Sequence, residues 1–167
     1  MGAKNLEIEF TNRINRLRCD GYVAKLHLAL NDLPIFKGVE KPCGRMIIAP
    51  EMDAIEFAFD HAKYGEYSDS PVMEILLPSV KDSTLAPEGC HVLSAHVMYI
   101  PHSLKTGWTD HAKESLYQTL VQTLEKYAPG ITKNIVHGEL MTPADLEETF
   151  NVTGGHWHHA ELAMDQM

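Results

Sequence analysis

The chain has 167 residues, 44% hydrophobic and 22% charged, a balance that suits one domain burying about 70% of its unfolded surface. Its 14 Lys and Arg against 23 Asp and Glu give a formal charge of −9, which leaves no basic stripe to displace counterions from a nucleic acid. No apolar run approaches the roughly 20 residues of a membrane-spanning helix. MGAKNLEIEF lacks the apolar core of a secretory signal. Three scattered cysteines, Cys19, Cys43 and Cys90, form no CxxC pair, so reduced, buried thiols and a cytoplasmic location are expected.

Leu6, Phe10, Ile14 and Leu17 recur at helical spacing, and Asp20-Gly21 is expected to end that first helix. Arg13, Arg16 and Arg18 then read as its solvated face. Tyr22, Ala24, Leu26, Leu28 and Leu30 alternate with Val23, Lys25, His27 and Ala29, the pattern of a half-buried strand closed by Asn31-Asp32-Leu33-Pro34. A short strand over Arg45 to Ala49 precedes a helix, with Asp53 and Glu56 at capping-box spacing and Ile55, Ala58, Phe59 and Ala62 as its apolar stripe.

Val72 to Leu77 is a compact third strand ending at Pro78. Cys90 to Ile100 is the longest strand, and apolar groups on both faces place it centrally in the sheet. Asp110 opens a helix striped by Leu116, Leu120, Leu124 and Tyr127 and stopped by Pro129-Gly130. Ile131 to Leu140 is a fifth strand. Thr142 then reads as an N-cap, with Pro143 at the first helical position and Asp145 three residues after the cap.

The order α-β-β-α-β-β-α-β-α predicts an α+β fold: a mainly antiparallel five-stranded sheet with helices packed on one side and split βαβ, ferredoxin-like character. Connections between neighbouring strands are expected to be short, as in hairpins.

No GxGxxG follows a strand and no GxxxxGK[ST] occurs, so no pyrophosphate cradle is expected. There is no GxSxG elbow either. The distinctive stretch is GGHWHHAELAMDQM. If extended, it would put His156 and His158 on one face and His159 on the other. Imidazoles beside Glu161 suit several transition metals, but the spacing matches no closed zinc motif, so no dedicated metal centre is expected. The same glycines could instead form a bend where backbone packs closely, and the histidines could make structural hydrogen bonds or line a ligand pocket. His27, His91 and His96 read as satisfied strand histidines. Glu74 is a carboxylate within an apolar strand, a setting that can raise a pKa unless the side chain faces solvent.

Several stretches together resemble the phytoene dehydrogenase-like FAD-dependent oxidoreductases, in the branch that includes the pyridine nucleotide-disulfide oxidoreductase domain-containing group. They are AKLHLALNDLP from Ala24, PSVKDSTLAPEG from Pro78, YAPG from Tyr127, TPADLE from Thr142, and GGHWHHAELAMDQM from Gly154. Their collinear order covers most of the chain. The resemblance implies that residues 1–167 form a single substrate-binding domain lacking the N-terminal Rossmann part and the C-terminal FAD segment. It implies no cofactor in this chain alone, FAD in the full-length family, and no catalytic residue carried here, because the flavin performs the hydride chemistry. Gly154, Gly155, His156, Trp157, His158 and His159 would lie near substrate or flavin. Trp157 departs from the smaller aliphatic residue usual there, and Ala160 from a common glycine.

The implied partners are an apolar small-molecule substrate, a flavin-binding domain or subunit, and further copies of the chain through an exposed apolar face. The alternatives are a stand-alone ligand-binding or partner module and a His-based metal-binding protein.

Overall fold

The computed structural model describes residues 3–164. The terminal Asp165-Gln166-Met167 of the distinctive stretch lies outside the described residues. In chain order the elements are α1 (Ile8–Asn15), β1 (Val23–Leu30), β2 (Met46–Ile48), α2 (Met52–Lys63), β3 (Val72–Leu76) and β4 (His91–Met98). They continue with α3 (Asp110–Tyr127), a single turn α4 (Ile131–Asn134), β5 (Ile135–Met141) and α5 (Pro143–Phe150). The five strands form one sheet in the order β2-β3-β4-β1-β5, every neighbouring pair antiparallel, in a mixed α+β architecture. β4 is the middle strand. Both β4 and β5 run antiparallel to β1, which lies between them, so they are parallel to each other and joined through α3. That is a split βαβ unit.

The alternation read from β1 decides which face is closed. Ala24, Leu26, Leu28 and Leu30 pack with Leu93, Ala95 and Val97 of β4 and with Met73 and Ile75 of β3, all essentially without solvent contact. The α3 stripe of Leu116, Leu120 and Leu124 joins the same cluster. The opposite face carries Lys25 and His27 of β1 beside Ser94 and His96 of β4, which are half-buried. Among the described residues no helix is long and apolar enough to cross a membrane.

Five local expectations need correction. The first helix ends at Asn15, well before Asp20-Gly21, and both Leu6 and Leu17 lie outside it. The Asp53 cap does not form: α2 begins at Met52 after Glu51, and the cap position carries no side-chain hydrogen bond. The fifth strand starts at Ile135, because Gly130 takes a left-handed conformation (φ 90°) and Ile131–Asn134 first make a helical turn. Glu125 secures that turn by accepting the amides of Gly130 (2.6 Å) and Thr132 (3.0 Å). No neighbouring strand pair is a tight hairpin, since β2 reaches β3 through α2, and β3 reaches β4 through segment 77–90. Cys43 is exposed, so its thiol is not the buried one expected.

Candidate functional site

Cross-strand register assembles the first part of the site. Lys25 lies opposite His96, and His96 opposite Glu74, so three polar side chains form one row across β1, β4 and β3 on the open face. Nζ of Lys25 is 3.1 Å from Nε2 of His96. Nδ1 of His96 is 3.6 Å from Oε1 of Glu74, which Arg45 approaches to 3.3 Å through its Nε. Burial lowers the pKa of His96, and the Lys25 ammonium lowers it further, against the opposing pull of Glu74. The neutral imidazole therefore accepts from the Lys25 ammonium at Nε2 and turns its Nδ1–H toward Glu74. Burial also lowers the pKa of Lys25, partly offset by Glu74.

The second part comes from the segment after β5. Thr142 caps α5 by accepting from the Asp145 amide, while the Asp145 carboxylate accepts from the Thr142 amide (2.9 Å). Lys113 of α3 binds the other Asp145 oxygen and ties α5 to the core helix. Beyond α5 the chain turns back through Gly154 (φ 65°) and Gly155 (φ 62°). Side chains would not fit at either glycine, since an added Cβ would run into the Cys19 carbonyl oxygen at Gly154 and the Pro143 carbonyl oxygen at Gly155. The turn is fastened to the chain before β1 by the Gly21 amide, which donates to the Gly154 carbonyl at 2.9 Å. It is fastened to α5 by Glu147, whose Oε1 accepts from the Gly154 amide at 2.8 Å. That bond, then the hydrogen bond to His102 at 2.6 Å, lowers the Glu147 pKa. Farther on, Arg18 Nε meets Oε2 of Glu161 at 2.8 Å.

Together these parts enclose a half-open cavity of about 200 Å³. Val23, Lys25 and His96 line it from the sheet, with Leu146, Phe150 and Val152 from α5 and the residues after it. Gly155, Trp157 and His159 complete the lining. The Trp157 ring lies edge-on to His96, centroids 4.9 Å apart. Lys25 and His96 are thus the polar groups on β-strands in an otherwise mainly apolar recess, the usual make-up of a small-molecule site. A larger cavity of about 420 Å³ between segments 65–69 and 104–115 is lined by Glu66, Asp69, Lys105 and His111. There Lys105 is already engaged by Glu66 at 3.2 Å.

Of the residues singled out in the sequence, Gly155, Trp157 and His159 line the cavity, whereas Gly154 shapes the turn behind it. The run after Gly155 is not extended. The His158 amide donates to Nδ1 of His156 at 3.2 Å and the His159 amide to the His156 carbonyl at 2.8 Å, so the three histidines fan out around a turn. His156 has its pKa lowered by burial and then by His158. Its ring centroid is 6.4 Å from that of His158, and among the described residues no three His, Cys, Asp or Glu side chains form a group able to hold a metal ion.

His91 is satisfied by Ser79, its Nδ1 3.2 Å from a hydroxyl that also accepts the Val92 amide at 3.0 Å. Glu74 is half-buried and ion-paired. The sequence alone does not pair Lys25 with His96. The available signal was their shared open-face parity on two long strands.

No family model matches the chain. Over 95% of its length it is 32% identical to pyridine nucleotide-disulfide oxidoreductase domain-containing protein 2 of Mus musculus, and equally to that of Rattus norvegicus. A stretch making up 54% of the chain is 34% identical to 4,4'-diapophytoene desaturase (4,4'-diaponeurosporene-forming) of Staphylococcus aureus (strain Newman). The chain spans 29% of the length of the two mammalian relatives and 19% of the desaturase. It is therefore homologous to part of proteins named as oxidoreductases and desaturases.

Proposed function

We propose that residues 1–167 form the substrate-binding portion of a phytoene dehydrogenase-like FAD-dependent oxidoreductase. On this reading the Lys25–Trp157 pocket receives an apolar substrate beside a flavin held by the rest of a longer, cytoplasmic protein or by a partner subunit. The observation that carries the reading is the similarity of 95% of the chain to a segment amounting to 29% of longer relatives. The mainly apolar recess at Gly155 and Trp157 supports it independently.

FAD would need backbone donors for its pyrophosphate, and the glycine pair does not fit that task. The Gly154 amide is spent on the Glu147 carboxylate and the Gly155 amide on the Val152 carbonyl at 2.8 Å. A phosphate there would meet the Glu147 charge in place of a free N–H. No redox step is assigned to this chain, whose part is to bind, orient and shield the substrate.

The test is to purify the chain, record its visible spectrum and titrate it with FAD. The expected result is no stoichiometric flavin and no turnover until the flavin-binding part is supplied. Stoichiometric flavin with turnover by this chain alone overturns the reading.

A second reading is a stand-alone ligand-binding module that uses the same cavity. Ligand binding unaffected by the flavin-binding part, with no turnover in its presence, would select it.

A further inference from the structure

The pocket is lined mainly by apolar side chains, with one cationic side chain, Lys25, among them. Leu146, Phe150 and Trp157 supply the walls, while β1 delivers Lys25 to the lining. We propose that this pocket binds molecules with an apolar body and a carboxylate, the carboxylate being taken by Lys25. The inference deepens the substrate-pocket reading and rests on it in calling the molecule a substrate.

Three observations carry it. An ammonium has three N–H donors. One is used by Nε2 of His96, and among the described residues no other acceptor lies within hydrogen-bond distance of Nζ. Two donors remain on a side chain that lines the cavity. Second, the one carboxylate in the row, Glu74, is not the direct partner of Lys25. It sits beyond the His96 ring and faces Arg45 at 3.3 Å, so among the described residues no carboxylate contacts the half-buried ammonium. A ligand carboxylate would supply one, and charge-assisted bonds of this kind are the stronger ones.

Third, apart from the His96 and His159 imidazoles, the remaining lining suits a hydrocarbon body. The cavity of about 200 Å³ is larger than the roughly 150 Å³ apolar cavity that accommodates benzene. It takes one ring or a short chain, and a longer tail leaves past Phe150, which is 60% exposed. His96 fixes the polarity of the site. Its imidazole accepts from Lys25 and so holds the ammonium at the cavity lining, and a cationic ligand would be repelled by that same charge. A polyanion such as a phosphate would find the two remaining donors of one ammonium and mainly apolar walls in place of a cluster of donors.

The full chain is titrated calorimetrically with 3-phenylpropionate and octanoate, and with the matched alcohols 3-phenylpropanol and 1-octanol. Both carboxylates should bind at one site about tenfold tighter than their alcohols, or better, as a hydrogen bond to a charged group provides. Lys25→Met should bring the ratio to near one, and Lys25→Arg should retain most of it. If Lys25→Met does not fold, as judged by circular dichroism, the carboxylate-to-alcohol ratio of the unaltered chain decides alone. Equal or tighter binding of the alcohols, no saturable carboxylate binding, or a ratio unchanged in a folded Lys25→Met overturns the proposal. The titration contains no flavin, so such a failure removes the ligand class and leaves the substrate-domain reading to its own flavin experiment.

Discussion

The indole of Trp157 meets the imidazole of His96 edge-on, centroids 4.9 Å apart, and so joins the C-terminal turn to the middle strand of the sheet. Protonating His96 would place a second cation beside the Lys25 ammonium, at 3.1 Å from Nε2, with Glu74 and Arg45 on the far side of the ring. In the unfolded chain a histidine titrates near 6.5. In the fold burial and Lys25 lower that value, so between the two the unfolded state binds more protons. The stabilising contribution is complete above about pH 6.5 and is lost as pH falls through the folded value. Thermal melts from pH 8 to pH 5 should show the chain losing more stability on acidification than His96→Gln does. Parallel curves for the two proteins would contradict this.

The glycine turn is the most substitution-sensitive point of the site. Gly154→Ala and Gly155→Ala each add a Cβ at positive φ and drive it into a backbone carbonyl that cannot rotate away, Cys19 in one case and Pro143 in the other. Left-handed strain and overpacking each cost about 1–3 kcal/mol, so a loss of about 2–4 kcal/mol is expected at either position. Urea denaturation measures it, and a change below about 1 kcal/mol would mean that the turn does not pack this way.

Thr142 is fully buried and caps the helix that forms one wall of the pocket. Thr142→Ala should cost about 1–2 kcal/mol, because it removes the cap and strips the Asp145 carboxylate of its hydroxyl partner at 2.7 Å. Thr142→Ser should recover most of that. Equilibrium unfolding of the two variants checks the prediction, and a Ser variant no better than Ala would implicate the methyl group's packing in place of the cap.

What was legible in the sequence was local. The Thr142-Pro143-Ala144-Asp145 cap follows from side chains reaching their own backbone, and the β1 and α3 faces follow from periodicities of two and about 3.6 residues. What was not legible depends on pairing at a distance. β1 sits between β4 and β5, remote from both in sequence, and only that arrangement brings Lys25 to His96, 71 residues away. The Asp53 cap failed for the opposite reason: its spacing was right, but α2 had already begun at Met52. The C-terminal histidines stand out in the sequence for their chemistry, whereas their placement is decided by the Gly154-Gly155 turn fitting against Cys19 and Pro143.

The apolar stripe of α1 has the correct period and no core to meet. Leu6, just before the helix, and Phe10 and Ile14 within it are 40%, 41% and 47% exposed, and the helix Ile8–Asn15 contains no buried residue. An eight-residue helix is marginal by itself in water, and its stability comes from packing its apolar face. In the isolated chain a second copy is the available cover, so concentration-dependent self-association through α1 is expected. Sedimentation equilibrium should show it weakened at least several-fold by Phe10→Ser with Ile14→Ser, while the melting temperature at low concentration stays within a few degrees, since neither side chain belongs to the core. A chain that stays monomeric at all concentrations and binds no hydrophobic dye would sink this expectation. If the flavin-binding part abolishes self-association, the two compete for α1; if it does not, the stripe serves copies of the chain and the flavin domain docks elsewhere.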